Sequence, residues 1–84
     1  MQTRQKIIGA DLAHIIGGSY GTTFVIPLGI TEDRPELDNL IEGETVLLDE
    51  GDASAEGTVY SEQHDERQYW FARVDGTTWH DYTP

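Results

Sequence analysis

The sequence predicts a single α+β domain: a small antiparallel, barrel-like sheet of four to five strands with one or two short helices. The first observation is size, because 84 residues allow one domain with a thin core and a radius of gyration of roughly 12 Å. The second is alternation of apolar residues in short segments, which is typical of strands. The third is helical spacing in two short segments of the first half. Residues 1–21 are expected to form an extended segment and a short helix, and residues 22–84 the mainly β part.

The N-terminal segment admits two interpretations. The apolar side chains of residues 3–16 fit one helical face: Ile8, Leu12, Ile15 and Ile16. Alternation along an extended chain also fits, with these side chains on one side: Ile8, Ala10, Leu12 and Ile16. Gly9 disfavours one unbroken helix. We therefore predict extended chain through Ile8 and a short helix near residues 10–16, ended by a left-handed cap at Gly17-Gly18.

The next part of the chain predicts one strand and one helical turn. Residues 22–28 alternate as a strand whose inward side chains are Phe24, Ile26 and Leu28. Pro27 has no amide to donate, so this strand lies at a sheet edge or ends near Pro27. Residues 34–41 begin with helix-start residues, carry apolar residues on one face and are followed by a glycine. One or two helical turns are expected there.

The pattern from Gly43 onward is β. Val46 and Leu48 alternate inward in one predicted strand, and residues 55–61 return as a second strand after a Gly51-Asp52 turn. Residues 62–67 (EQHDER) are predicted to form a polar loop.

The strand predicted with the strongest pattern covers residues 68–75 (QYWFARVD). It carries aromatic residues on both faces, so we expect it to be central or bent. A turn at Asp75-Gly76 then leads to a short terminal strand or 3-10 turn. The inward positions of the three main strands predict these core residues: Val46, Leu48, Val59, Trp70 and Val74.

The second half of the chain resembles a known family. The resemblance lies in residues 43–49 (GETVLLD), residues 55–59 (AEGTV) and the aromatic strand ending at Val74-Asp75. In strand length and glycine placement, residues 43–84 resemble the SH3-like small β-barrels of the KOW/Tudor kind. That resemblance implies a module that binds nucleic acid or peptides through aromatic and basic loop residues. The loops of this chain are acidic and would repel nucleic acid. For this chain the resemblance therefore implies peptide or protein binding.

Charge is the most informative feature of the composition. The formal net charge is −11, from 16 acidic and 5 basic residues. Residues 1–31 hold two basic residues and one acidic residue, whereas residues 32–84 hold three basic residues and fifteen acidic residues. This field repels nucleic acid and anionic lipid and attracts basic protein surfaces. The alternative is that the acidic surface only maintains solubility.

The motifs present predict no catalytic residue, cofactor or metal. Cysteine is absent, which excludes disulfides and thiolate ligands. Residues 17–21 match G-x-S-x-G, but a nucleophile elbow needs a strand before Ser19 and a helix after it, the reverse of the predicted order. The histidines His14, His64 and His80 lack the close spacing of a zinc site. Residues 49–52 (DEGD) lack the remaining ligands of a calcium loop.

We therefore predict a non-enzymatic binding protein whose acidic surface engages a basic protein partner, with no direct nucleic-acid or membrane binding. Exposed turns supply the candidate contacts: Glu50, Asp52, Glu62, Asp65 and Glu66. The favoured form is a nucleic-acid mimic that inhibits a DNA- or RNA-binding protein, because carboxylates can replace phosphates. In composition the chain resembles small acidic phage-encoded inhibitors. The alternative is an SH3-like interaction module or accessory subunit whose charge serves solubility.

Two further expectations complete this hypothesis. The aromatic residues are mainly core material, and those left on the surface among acidic residues would anchor an interface. With no apolar stretch of about 18 residues and no signal-peptide pattern, a cytoplasmic location is predicted.

Overall fold

The structure, a computed structural model, describes residues 5–19 and 22–82. The strands of this part are β1 (Ile7–Gly9), β2 (Gly17–Gly18), β3 (Thr23–Ile30), β4 (Thr45–Asp49), β5 (Ala53–His64), β6 (Arg67–Asp75) and β7 (His80–Asp81). Two 3-10 turns accompany them: η1 (Pro35–Asn39) and η2 (Gly76–Thr78). The radius of gyration is 12.6 Å, close to the value expected from length.

The predicted α+β class is wrong, because the protein is mostly β. Strand accounts for 54% of the structure and helix for 11%, all of it in the two 3-10 turns. The strands form one seven-stranded sheet in the order β1-β4-β5-β6-β3-β2, with β7 pairing with β5. β1 runs parallel to β4, so the sheet is mixed, whereas the prediction was four to five antiparallel strands. The sheet is not closed into a barrel.

The helix predicted near residues 10–16 does not form; the segment makes one turn at Leu12-Ala13, and long-range hydrogen bonds fix its two ends. The Ala10 amide donates to the Asp49 carbonyl at 3.0 Å and the Ile16 amide to the Val25 carbonyl at 2.9 Å. Gly17 and Gly18 form β2, not a helix cap. Burial of Ile8 and Leu12 fits both interpretations, since each places them inward. Ala10, inward only in the alternating pattern, and Ile15, inward only on the helical face, both pack against the core. Ile16, inward in both, is 53% exposed.

The helix predicted over residues 34–41 is one 3-10 turn. Leu37 and Leu40 enter the core from η1, as the shared face predicted, but the chain is already extended at Leu40 (φ −78°, ψ 146°). A single turn is enough to bury these two leucines. Ile41, which shared the predicted face, remains 65% exposed.

The core lies on one face of the curved sheet and confirms the strand patterns. All five predicted core residues are buried: Val46, Leu48, Val59, Trp70 and Val74. Within the described residues, the Trp70 indole N–H has no hydrogen-bond partner. β6 lies between β5 and β3, so the predicted central position is confirmed.

Arg34 connects the two sides of the sheet that backbone pairing leaves apart. β1 lies at one end of the strand order and β3 near the other. The Arg34 guanidinium donates through Nη2 to the Gly9 carbonyl on β1 at 2.7 Å and through Nη1 to the Leu28 carbonyl on β3 at 2.9 Å. The sheet therefore curves far enough to bring β1 and β3 within reach of one planar guanidinium group.

The polar loop predicted over residues 62–67 is instead part of a long hairpin. β5 continues to His64 and β6 begins at Arg67, in register with it. The two connecting residues, Asp65 (φ 51°) and Glu66 (φ 67°), both have left-handed backbone conformations. Such a two-residue turn matches the twist of the strands but usually contains glycine.

β3 passes through Pro27 without ending there. Its register with β6 shifts between Pro27 and Gly29, which marks a bulge. On one side of β3, β2 pairs only with Phe24 and Val25. No strand therefore needs a hydrogen bond from position 27 on that side, and a proline, which has no N–H, is tolerated there. Of the two predicted alternatives, an end near Pro27 is wrong, since the strand continues to Ile30. At Pro27 the strand is an edge on the side of β2 within the described residues, as the other alternative predicted.

Candidate partner-binding surface

The five predicted contact residues lie in two separate turns. Glu50 and Asp52 belong to the turn between β4 and β5, whereas Glu62, Asp65 and Glu66 belong to the hairpin between β5 and β6. These turns lie at opposite ends of β5. Twelve residues of strand extend roughly 36 Å. The structure therefore does not bring the five residues onto one surface.

The β4–β5 turn gathers acidic residues from three distant parts of the chain. We name this group the acidic end; its members are Asp11, Asp49, Glu50, Asp52 and Asp81. Strand register places Gly9 opposite Asp49 and Ala53 opposite Asp81. The Tyr82 amide also donates to the Asp52 carbonyl at 2.9 Å. Sequence analysis did not select Asp11, Asp49 or Asp81 as contacts; the first and last of these reach this end only through the pairing of β1 and β7.

Neutral N–H donors orient four of these five carboxylates. The Leu12 amide donates to Glu50 at 3.2 Å and the Ala13 amide to Asp11 at 3.0 Å. The Gly51 amide donates to Asp49 at 2.8 Å and the indole N–H of Trp79 to Asp81 at 3.0 Å. Hydrogen bonds of this kind fix a carboxylate without cancelling its charge.

The ion pairs of the described residues lie elsewhere. Within residues 5–19 and 22–82, the acidic partners in ion pairs are Glu32, Glu36, Glu44 and Glu62. No member of the acidic end has a cationic side chain within ion-pair distance among those residues. Among the described residues, the negative charge of this end is therefore not neutralised by a direct ion pair.

The described basic residues are engaged within the fold. Lys6 donates to the Asn39 carbonyl and pairs with Glu44 at 2.9 Å. Arg34 bridges β1 and β3, and the Arg73 guanidinium lies over the Tyr60 ring, 5.4 Å from its centroid. None of these printed contacts is with a carboxylate of the acidic end.

The hairpin tip, residues 62–67, combines acidic and basic side chains. Glu62 lies 3.2 Å from His64, an ion pair only when the imidazole is protonated. Arg67 pairs with Glu32 at 3.8 Å. Because both contacts are largely exposed, each contributes about 0–1 kcal/mol to stability. The tip therefore presents a mixed and less negative surface than the acidic end.

Two carboxyl groups outside both regions have lowered pKa values. Burial alone would raise the pKa of Glu44, but hydrogen bonds from Lys6 and from the Ile41 amide, together with the Lys6 charge, lower it. Hydrogen bonds from the Thr77 hydroxyl and amide lower the pKa of Asp75. Both groups stabilise the local fold as carboxylates.

The residues considered for catalysis or metal binding are dispersed. Ser19 follows β2, and its Oγ lies 3.4 Å from the Thr22 hydroxyl. His14 lies between β1 and β2, His64 at the hairpin tip and His80 in β7. Over the described ranges, no three acidic or histidine side chains converge as metal ligands would.

Aromatic side chains lie beside the acidic end. Trp79 and Tyr82 are 36% and 46% exposed, whereas Trp70 is 4% exposed. His80 and Tyr82 lie on one side of the short β7 segment, with ring centroids 5.5 Å apart in an edge-to-face arrangement. The expectation of surface aromatics among acidic residues is met at this place.

Comparison with known proteins identifies no relative. No protein-family model, curated protein sequence or solved structure matches the chain significantly. In the described part of the chain, no helix is long and apolar enough to span a membrane.

Proposed function

We propose that this protein binds a basic protein partner through the acidic end. The observation that supports this most directly is the set of carboxylates held by neutral donors, with no ion pair to a basic side chain of residues 5–19 or 22–82. Such groups are already oriented before binding, so they lose less conformational freedom when a partner arrives. Their field also accelerates encounter with a basic surface.

The more specific form of the proposal is nucleic-acid mimicry. A DNA- or RNA-binding protein presents arginine and lysine residues that contact phosphates. Five carboxylates at one end of the sheet, four of them fixed by hydrogen bonds, can contact those arginine and lysine residues and displace the nucleic acid. Such binding releases counterions, so it weakens as salt is added. With five contacts, raising the salt from about 50 to 200 mM should lower the affinity for the partner roughly 500-fold.

The experiment compares two variants with equal changes in charge. The first carries Asp11→Asn, Glu50→Gln and Asp52→Asn at the acidic end. These amides keep an acceptor oxygen for the Leu12 and Ala13 amides, so the local fold is retained. The control carries Glu62→Gln, Asp65→Asn and Glu66→Gln at the hairpin tip.

Immobilised protein is used to isolate a partner from cell lysate, and the purified partner is then titrated across a salt series. The acidic-end variant should bind at least tenfold more weakly with a shallower salt dependence, and the hairpin-tip variant should bind almost normally. Nucleic acid should compete with the wild-type protein for the partner. Equal weakening by both variants contradicts a site at the acidic end, and simultaneous binding of nucleic acid contradicts mimicry.

A second candidate function follows from the solvent-facing side of the sheet. Tyr60 stacks on Phe71 with ring centroids 5.5 Å apart, and Pro27 lies opposite Phe71 in the register. This face favours the interaction-module alternative, in which a peptide packs on aromatic residues and charge maintains solubility. Binding that persists in the acidic-end variant and at high salt but is lost in Phe71→Ser would support it.

A further inference from the structure

The edge strand β1 directs part of its backbone away from the sheet. The Leu47 amide of β4 donates to the Lys6 carbonyl at 2.8 Å, and the Ala10 amide donates to a carbonyl of β4 at 3.0 Å. Lys6 and Ala10 therefore turn their backbone groups towards β4. Since successive residues of a strand turn these groups to opposite sides, those of Ile7 and Gly9 point away from β4. Within the described residues, no other strand lies on that side of β1 in the sheet order.

The Ile7 backbone offers an unpaired donor and an unpaired acceptor on this outer edge. The Gly9 carbonyl accepts from Arg34 Nη2 at 2.7 Å, which confirms that this edge points away from β4. Among residues 5–19 and 22–82, no hydrogen bond reaches the Ile7 amide or carbonyl. The Ile7 side chain is also 65% exposed. A further strand placed here would pair with the Ile7 backbone and cover part of its side chain.

The edge of β1 lacks the features that protect the edge of β3. Proline residues, bulges and exposed lysine side chains commonly prevent edge strands from pairing with another chain. The β3 edge has Pro27 and a bulge between Pro27 and Gly29. β1 has neither, and the nearby Lys6 side chain is engaged by Glu44 and by the Asn39 carbonyl. Of these two edges, only that of β1 is open to pairing.

A cleft of about 570 Å³ lies beside the open edge, between β1 and η1. The residues that line it are Lys6, Ile7, Ile8, Glu36 and Asn39. Side chains of a strand alternate between its two faces, so those on one face of an added strand can enter this cleft. Because β1 is only three residues long, its backbone provides few hydrogen bonds. Side-chain contacts in the cleft therefore have to contribute to the affinity.

The charges around the open edge favour a basic occupant. Glu36 lines the cleft, and Glu56 reaches the start of β1, where it accepts from the Gln5 side-chain amide at 3.4 Å. The two basic side chains at this edge, Lys6 and Arg34, already pair with carboxylates. Lysine or arginine residues of an added strand can thus approach carboxylates on β5 and η1. A second copy of this chain is a poor occupant, because it carries the same net charge of −11 and is repelled.

We propose that an extended basic segment of a partner protein adds to β1 as a further strand. Its backbone pairs with Ile7, and its side chains on one face enter the cleft beside η1. This inference goes beyond the proposed function, because backbone pairing along β1 does not require the carboxylates of the acidic end.

The first test uses two synthetic peptides with the same residues and charge. In both, lysine alternates with valine and the ends are blocked, but in the second every backbone amide is N-methylated and cannot donate. Each is titrated to millimolar concentration into the isotopically labelled full chain, and backbone amide shifts give affinity and location. The first peptide should shift residues 5–9 and 35–39 most. The second should bind about tenfold or more weakly, because hydrogen bonds to β1 are lost.

The second test changes the edge itself. Ile7→Pro removes the outward N–H but leaves the hydrogen bonds to β4, which use the Lys6 and Ala10 backbone. Ile7→Ala is the matched control, because it also removes the isoleucine side chain but keeps the N–H. The proline variant should bind the first peptide about tenfold more weakly than the alanine variant. Thermal unfolding of both variants verifies the fold, and the peptide comparison needs no variant.

The outcomes distinguish this inference from the proposed function. The variant that carries Asp11→Asn, Glu50→Gln and Asp52→Asn should retain the difference between the two peptides. Equal affinities for the two peptides, no binding of either, or shifts confined to the acidic end would overturn strand addition and leave the proposed function standing. A dimer of the free protein that Ile7→Pro dissociates would assign the edge to a second copy and also overturn it. Partner binding lost in Ile7→Pro but unchanged in the acidic-end variant would contradict the proposed function alone.

Discussion

The acidic end and the hairpin tip lie at opposite ends of β5 and both contain acidic turns, but they differ in what surrounds the carboxylates. At the acidic end, backbone amides and an indole N–H orient the carboxylates. At the tip, His64 and Arg67 accompany them, and two residues adopt left-handed backbone conformations. Two turns with similar numbers of acidic residues can therefore present different electrostatic surfaces. The neighbours that the fold supplies decide where negative charge faces outward.

The largest expected effect concerns Arg34, which connects β1 to β3. It donates to the Gly9 carbonyl, and Gly9 pairs with Asp49 of the acidic end. Arg34→Ala should destabilise the protein by about 2–4 kcal/mol, because two carbonyls lose charged donors. Hydrogen exchange should accelerate in β1 and residues 10–16 much more than in the β5–β6 hairpin. Arg34→Lys should not restore protection, since an ammonium group lacks the planar fork. Equal acceleration at both ends would show that Arg34 does not act selectively on β1.

A smaller effect separates the two kinds of carboxylate directly. Glu50→Ala should cost about 1–2 kcal/mol, because it removes the acceptor of the Leu12 amide beside a fully buried side chain. Glu62→Ala at the tip should change stability by less than about 0.5 kcal/mol. Chemical denaturation measures both, and Glu50→Gln, which keeps an acceptor, should remain close to wild type. Equal costs for the two alanine variants would contradict the distinction.

One substitution at the hairpin tip should increase the stability of the protein. Among the described residues, only the tip has non-glycine residues with positive φ. Glu66 adopts φ 67°, a conformation that costs a side-chain-bearing residue free energy and costs glycine little. Glu66→Gly should therefore stabilise the protein by about 0.5–1 kcal/mol after the entropy of glycine in the unfolded chain is included. Glu62→Gly, inside β5, should destabilise it. Thermal denaturation of the two variants provides the comparison, and destabilisation by both would exclude backbone relief at Glu66.

The smallest expected effect is the pH dependence of stability that Glu44 contributes. Glu44 lies outside both the acidic end and the hairpin tip. The folded-state pKa of Glu44 lies below the ordinary value of 4.5, so its contribution to stability is present above that pH. This contribution is lost as the pH falls through the lowered pKa. The difference in unfolding free energy between wild type and Glu44→Gln should therefore shrink below about pH 4.5. Asp38→Asn, at an exposed carboxylate, serves as the control, and a difference that stays constant with pH would contradict the assignment.

Much of the β architecture could be predicted from local pattern, and the reason is physical. In β4, β5 and β6, alternate side chains enter the core, so residues such as Val46, Val59 and Trp70 reveal their burial through spacing alone. The candidate site was predicted only in part. Glu50 and Asp52 were identified as exposed turn residues. Asp11, which follows β1, and Asp81, in β7, were not, because these strands have too few residues to show a pattern.

The sequence by itself determined the size of the domain, its acidic character and the positions that alternate into the core, because composition and residue spacing are local properties. Tertiary structure decided the rest. Residues 10–16 satisfy both helical and extended spacing, and the choice was made by hydrogen bonds to β3, β4 and the turn after β4. Tertiary structure also decided that Arg34 bridges two strands and that Asp11, Asp52 and Asp81 share one end. Contacts between residues far apart in the chain depend on strand pairing, which no single segment encodes.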